Sequence, residues 1–244
     1  MQIAGSVALV TGANRGLGQV YARELVSRGA AKVYAAARHP DQVTEPGVIP
    51  VALDITDAQR VAEVAKQCAD VSLLVNNAGV MKASTFIGAP STDAARTEME
   101  TNYFGMLSMC RAFAPVLAAN GGGAMVNMLS VGSFYTNPFT ASYGASKAAA
   151  RSLTNGARLE LHHQGTLVVA VYAGYIDTEM AALTNEPKIS PESVAQQAFD
   201  AVEAGQIEVL ADERTRTVKA SLSRDQELIY PPVQEFWDSI VQAH

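Results

Sequence analysis

Tyr143 and Lys147 stand four residues apart in Tyr143-Gly144-Ala145-Ser146-Lys147, so on a helix a phenol and an ammonium share one face, one turn apart. Ser130 lies thirteen residues before Tyr143, just past the apolar run Ala124 to Leu129. These three groups fit hydride chemistry at a carbonyl carbon. As hydride arrives, negative charge builds on oxygen, and a site must polarise that oxygen and then give it a proton. Ser130 can donate to the oxygen, and Tyr143 is the candidate acid. An unperturbed phenol has a pKa near ~10, too high for ready exchange at neutral pH. A nearby Lys147 ammonium is therefore expected to favour the phenolate and lower that value, while its other donors hold ribose hydroxyls. In the oxidative direction the same phenolate is the base. A Tyr and a Lys at this spacing are common by chance, and Ser130 at the carboxyl edge of a strand, where open α/β sheets bind ligands, gives the pair its weight.

A second constellation lies near the beginning of the chain. The run Val7 to Thr11 leads directly into Thr11-Gly12-Ala13-Asn14-Arg15-Gly16-Leu17-Gly18, after which Val20, Tyr21, Leu25 and Val26 take up helical period. Strand, glycine turn and helix in this order suit a dinucleotide. Glycines tighten the turn, remove the Cβ atoms that hold a pyrophosphate away, and let the helix N-terminus aim free N–H groups at the anion. The glycine spacing alone is weak, and an ordinary glycine-rich turn is the plain alternative. An NAD site usually carries an acid at the end of the second strand for the ribose 2′-hydroxyl. Here the stretch reads Ala35-Ala36-Ala37-Arg38. With no acid to repel a 2′-phosphate and two cations, Arg15 and Arg38, to clamp it, the expected cofactor is NADP(H).

The elements that must hold these groups follow from periodicity. Short runs of Val, Ile, Leu and Ala alternate with longer helical segments, the pattern of βαβ units around a buried parallel sheet. The expected strands are Val7 to Thr11, Lys32 to Ala36, Val48 to Leu53, Ser72 to Asn76, Ala124 to Leu129, Leu167 to Tyr172 and Ile207 to Leu210. The predicted fold is a Rossmann-type, doubly wound α/β sheet of about seven strands with helices on both faces, one domain over residues 1–244. Asp57, Val61, Val64, Ala65 and Cys68 form one helical stripe. Ser190, Pro191 and Glu192 mark the start of a helix that runs to about Glu203. Asn155-Gly156 spells a hairpin turn in isolation, but Ala148, Leu153, Ala157 and Leu161 keep helical period, so a helix is expected there. Gly156 either admits another backbone or is merely tolerated. Gly121-Gly122-Gly123 reads as a connector before a strand.

In these motifs the sequence resembles the short-chain dehydrogenase/reductase family, small single-domain branch, whose members carry Thr-Gly-x-x-x-Gly-x-Gly at the turn and a Ser, Tyr and Lys set at the spacing of Ser130, Tyr143 and Lys147. The resemblance spans nearly the whole chain and implies a carbonyl-reductase-like activity. It implies cofactor contacts from Gly12, Asn14, Arg15, Gly16, Leu17 and Gly18. Asp54 matches the acid that contacts adenine, with Ile55 beside it. Asn76-Asn77-Ala78-Gly79 matches the motif closing the fourth strand, placing Asn77, Ala78 and Gly79 at the cofactor; as isolated residues Asn77 and Gly79 are equally good turn formers. Asn102 matches a fourth catalytic residue that orders a water linking the lysine to solvent; alone it reads as well as a backbone-capping residue. After the sixth strand the family has Pro-Gly and, four residues later, Thr. This chain has Ala173-Gly174-Tyr175-Ile176-Asp177-Thr178, so Gly174, Ile176 and Thr178 are expected near the nicotinamide in a loop without proline's fixed φ. The resemblance also implies a homodimer or homotetramer packed through the helices containing Asn102 and Tyr143. The Gly-Gly ending common in the family is absent.

Composition narrows the partners. Hydrophobic residues make up 48% and charged residues 17% of 244 residues, ample for a buried sheet. With 18 Lys and Arg against 24 Asp and Glu, the net charge of -6 repels nucleic acid and anionic lipid, leaving a small molecule as the expected partner. Cys68 and Cys110 lack metal-ligand spacing and are expected as buried free thiols, which suits a reducing cytoplasm. The first apolar stretch runs into Thr11 and Gly12 and reads as a strand, not a signal peptide. The longest apolar run, Leu167 to Ile176, is about half the roughly 20 residues a membrane span needs. Phe134, Tyr135, Phe139, Tyr175, Met180 and Met81 are expected to line a pocket suited to a hydrophobic carbonyl or alcohol substrate. The segment Thr178 to Pro187 is short for a lid, which suggests an open site. Tyr230-Pro231-Pro232 with Phe236, Trp237 and Ile240 reads as a docking helix. Enoyl reduction needs a wider Tyr to Lys interval, and the extended epimerases a larger C-terminal region. A redox sensor or scaffold that binds NADP without turnover is the alternative from outside enzymology, although such proteins tend to have lost the tyrosine or the lysine.

Overall fold

A computed structural model describes residues 1–241 of the chain. Seven parallel strands, β1 (Val7–Thr11), β2 (Lys32–Ala37), β3 (Ile49–Ala52), β4 (Leu73–Asn76), β5 (Ala124–Met128), β6 (Leu167–Tyr172) and β7 (Glu208–Leu210), are ordered β3-β2-β1-β4-β5-β6-β7. The expected doubly wound sheet is therefore present, and the strand order reverses between β1 and β4. Observed strand limits differ from the expected ones by a residue at several ends.

Side chains alternate across the sheet as period two requires. Ala8, Val10, Val33, Val75 and Val126 face α1 (Gly16–Ser27) and α6 (Pro191–Ala204), where Tyr21, Leu25, Phe199 and Val202 are fully or almost fully buried. Leu9, Leu74, Met125 and Val168 face the opposite layer, α2 (Ala58–Gln67), α4 (Met106–Ala119) and α5 (Ala141–Glu160), through Val64, Met109, Phe113, Leu117 and Ala150. Each buried Val, Leu, Met or Phe among these contributes roughly 1.5–3 kcal/mol, which is why a sheet with few polar residues must be covered on both faces. Cys68 and Cys110 are buried free thiols in this second layer, and burial pushes them up to about 11 and about 12, keeping them protonated.

Ser190 caps α6 as anticipated, accepting from the Ser193 N–H. Asp57, expected within the helical stripe, instead caps α2 by accepting from the Arg60 N–H. Gly156 lies inside α5 with open space where a Cβ would stand, so no backbone approaches it and it is simply tolerated. The remaining helices are α3 (Asp93–Met99), α7 (Glu213–Ala220), α8 (Asp225–Leu228) and α9 (Tyr230–Val241). Residues 242–244, which include the chain end read as lacking Gly-Gly, lie outside the described residues. Among the described residues no helix is long and apolar enough to cross a membrane.

Candidate active site

Each parallel strand aims its carboxyl end at one edge of the sheet, and there a cleft of about 1700 Å³ opens. All the residues singled out for cofactor or catalysis line it, from Gly12, Asn14, Arg15, Gly16, Leu17 and Gly18 through Arg38, Asp54, Ile55, Asn77, Ala78 and Gly79 to Ser130, Tyr143, Lys147, Gly174, Ile176 and Thr178, with the exception of Asn102. The volume exceeds that of a typical single-ligand pocket and has room for a dinucleotide beside a second molecule.

The glycine turn is packed for close approach. Gly12 has a φ of +66°, and a Cβ on Gly18 would stand 2.0 Å from the Gly12 carbonyl oxygen. Asn77 locks this turn to β4 by donating from Nδ2 to the Thr11 carbonyl at 2.9 Å, while the Thr11 hydroxyl accepts from the N–H groups of Asn77 and Ala78 at 3.0 Å each. Asn77 is thus more than a turn former, because it joins the two strands that flank the switch point. At the far wall Arg38 is exposed at the end of β2, next to three alanines. Arg15 is instead paired with Glu179 across the mouth of the cleft. Their side chains are 70% and 78% exposed, so the pair is worth about 0–1 kcal/mol and yields readily to a phosphate. The Asp54 carboxylate accepts from the Thr56 N–H and hydroxyl, which fixes it at the rim.

The catalytic candidates converge from β5 and α5. Lys147 is buried, donates from Nζ to the Met128 carbonyl at 2.9 Å, and stands 5.9 Å from the centre of the Tyr143 ring. Burial lowers the Lys147 ammonium to about 8. Burial also pushes the Tyr143 phenol up to about 12, opposed by the Ser130 hydroxyl and reinforced by the charge of Glu98. This corrects the expectation that Lys147 brings the phenol down. Desolvation disfavours both charged forms, phenolate and ammonium, and is the largest cause of each shift.

Asn102 sits in a π-helical turn, Glu100–Gly105, between α3 and α4. Its Oδ1 accepts from the Val80 N–H, and its Nδ2 donates to the Val80 carbonyl and to Ser146 Oγ, at 2.8, 2.8 and 2.9 Å. It therefore caps the backbone of the irregular segment that follows Gly79 and braces α5. A Cβ on Gly79 would stand 3.1 Å from Asn102 Oδ1 and 3.5 Å from Lys147 Nζ, so Asn102 and the lysine flank one glycine. Single-turn π bulges in α-helices occur often at functional sites.

A family model described as short chain dehydrogenase matches residues 6–189. The chain belongs to the short-chain dehydrogenase family. It is 31% identical over 196 residues to a short chain dehydrogenase of Monascus purpureus, covering 73% of this chain and 67% of the relative. It is 29% identical over 204 residues to an uncharacterized oxidoreductase of Staphylococcus aureus, covering 78% and 87%. Among solved structures, a short chain dehydrogenase from Burkholderia cenocepacia, crystallised in complex with NADP, is 42% identical with a TM-score of 0.91, spanning 96% of this chain and 99% of that one.

In this short-chain dehydrogenase the cleft and the loops around it depart from expectation at three points. Phe134 does not line the cleft; it stacks on Tyr172 with ring centres 4.5 Å apart and packs against the core. Tyr135, Phe139, Tyr175, Met180 and Met81 do line it, joined by Leu183, Phe236 and Arg214. Phe236 comes from the docking helix α9, which seats Phe236 and Trp237 edge-on against Phe139. The loop at Ala173 has a substitute for the missing proline, since Asp212 accepts from the Gly174 N–H at 2.6 Å and from the Thr215 N–H at 2.8 Å. One carboxylate thus ties the loop after β6 to the start of α7.

Glu98 was also not anticipated. It is fully buried in α3, accepts from the Lys82 N–H at 2.6 Å and from the hydroxyl of Ser142, the residue before Tyr143, at 2.5 Å. Its place four residues before Asn102 on one helical face was the available signal.

Proposed function

We propose that this oxidoreductase reduces a ketone or aldehyde to an alcohol with NADPH and runs the reverse oxidation with NADP⁺. The observation that carries the reading is the joint lining of one cleft by Ser130, Tyr143 and Lys147 and by a glycine turn whose closest contact a single Cβ would fill. Gly12 to Gly18 would hold the pyrophosphate, Asp54 and Ile55 the adenine, and Arg38, with Arg15 released from Glu179, the 2′-phosphate. The stretch Ala35-Ala36-Ala37-Arg38 at the end of β2, which holds no acid, supports NADP(H) over NAD(H), as does the NADP in the Burkholderia cenocepacia relative.

When bound, the cofactor supplies the hydride. Ser130 donates to the carbonyl oxygen and stabilises the charge that develops there. Tyr143, protonated at neutral pH, delivers the proton. Lys147, held by the Met128 carbonyl, keeps its other donors for the ribose hydroxyls. Tyr135, Phe139, Tyr175, Met180, Leu183 and Phe236 give the carbonyl compound a largely apolar wall.

The reading is tested by following NADPH consumption across a panel of ketones and aldehydes, with NADH as comparison. NADPH is expected to be favoured, and Arg38→Asp to raise KM for NADPH at least tenfold more than for NADH. Equal efficiency with the two cofactors, or no effect of the substitution, would count against NADP selection; no turnover at all would favour a binding-only protein. We further infer a homodimer or homotetramer packed through the π turn that holds Asn102, the α4 helix it leads into, and α5, where Phe104 of the π turn and Leu159 of α5 are exposed at 47% and 80%.

A further inference from the structure

A cation stands where an apolar substrate wall was expected. Arg214, in the first turn of α7, lines the same cleft as Ser130 and Tyr143. Its stem packs on the loop after β6, so that a Cβ on Gly174 would stand 3.4 Å from Arg214 Cδ. Its guanidinium lies 5.0 Å from the centre of the Tyr175 ring and donates to the Tyr135 hydroxyl at 3.1 Å. Tyr135 follows Ser130 by five residues and Tyr175 follows Gly174, so the arginine is braced between the loop that carries the catalytic serine and the loop expected at the nicotinamide. Asp212 fixes the start of α7 through Gly174, which leaves the arginine little freedom to withdraw.

The remaining partner is weak. Arg214 Nη1 donates to Glu186 at 3.2 Å, from a carboxylate 54% exposed on a loop at the rim. A pair this open to water is worth about 0–1 kcal/mol, whereas a guanidinium carries five donors in a fork matched to a carboxylate. A carboxylate arriving with a substrate can take the place of Glu186 and keep the contact with Tyr135. The neighbouring wall of Phe139, Phe236, Met180 and Leu183 suits an apolar body between the two ends.

We propose that Arg214 is an anion-binding subsite of the substrate pocket, and that the preferred substrates are carbonyl compounds whose apolar body ends in a carboxylate. This rests on carbonyl reduction at Tyr143 and narrows its substrate class. Glu186 is the internal competitor for the same guanidinium.

The probes are 4-oxo-4-phenylbutanoate, 5-oxo-5-phenylpentanoate and their methyl esters, which share a skeleton and differ in charge. Binding to the full-length protein is read from fluorescence of Trp237, the single tryptophan, which packs on the lining residue Phe139. Turnover is read from NADPH consumption. At least one acid is expected to exceed its ester tenfold in affinity and in kcat/KM. Arg214→Met should cut that acid-to-ester ratio at least tenfold, and Glu186→Gln, an exposed change that leaves the fold intact, should raise it. Acids and esters bound equally by the wild type, or an acid-to-ester ratio that neither substitution moves, would overturn the proposal. Arg214-dependent binding of the acid without turnover of any probe would leave the anion site standing and remove the reductase reading.

Discussion

At the residue scale the active site is an electrostatic contest with a defined sign. Burial pushes the Tyr143 phenol up to about 12 and the Lys147 ammonium down to about 8, so the tyrosine holds its proton at neutral pH and the phenolate needed for oxidation forms only at high pH. Glu98 adds to this by disfavouring the phenolate. Replacing Glu98 with Gln preserves the size and hydrogen-bonding reach toward Lys82 and Ser142 but removes the charge. The Tyr143 pKa should then fall, the phenolate should form at lower pH, and the rise of alcohol oxidation with pH should move to the acid side. Paired pH–rate profiles of the wild type and Glu98→Gln in the oxidative direction measure this. An unmoved or alkaline-shifted profile would show that Glu98 only positions the helix. The Ser130, Tyr143 and Lys147 set was legible because type and spacing carry it. The direction of the phenol's pKa was not, since desolvation depends on how the chain closes over a group and not on its neighbours in sequence.

At the scale of elements, the same residue type has opposite consequences in two helices. Gly18, at the start of α1, faces the Gly12 carbonyl so closely that any Cβ forces the helix away from the turn. Gly18→Ala should therefore weaken NADPH binding at least tenfold and destabilise the fold by roughly 1–3 kcal/mol. Gly156, inside α5 with nothing near it, should gain about 0.5–1 kcal/mol as alanine. Urea unfolding of the two variants with an NADPH titration tests both, and equal behaviour would contradict the packing described. Strands, caps and the glycine turn were readable because their signals are local. The π turn around Asn102, the Asp212 tie and the arrival of Phe236 and Arg214 in the cleft were not, since each depends on contacts between segments far apart in the chain. Phe134 shows the same limit, as an aromatic in a loop serves a pocket or a core equally well until the loop is folded.

At the scale of the whole molecule, one doubly wound sheet gathers residues from both ends of the described chain to its carboxyl edge. Light scattering coupled to size exclusion should report a dimer or tetramer; a monomer alone would reject packing through α4 and α5. The central claim is that proton transfer belongs to Tyr143 while nucleotide binding belongs to the glycine turn and Arg38, so the two functions separate. General acid catalysis by one positioned side chain typically contributes 10²–10⁴-fold. The most direct measurement is NADPH affinity and turnover of one accepted ketone by Tyr143→Phe. The account predicts an unchanged dissociation constant with turnover lower by about 10²-fold or more, whereas turnover at the wild-type rate would contradict it.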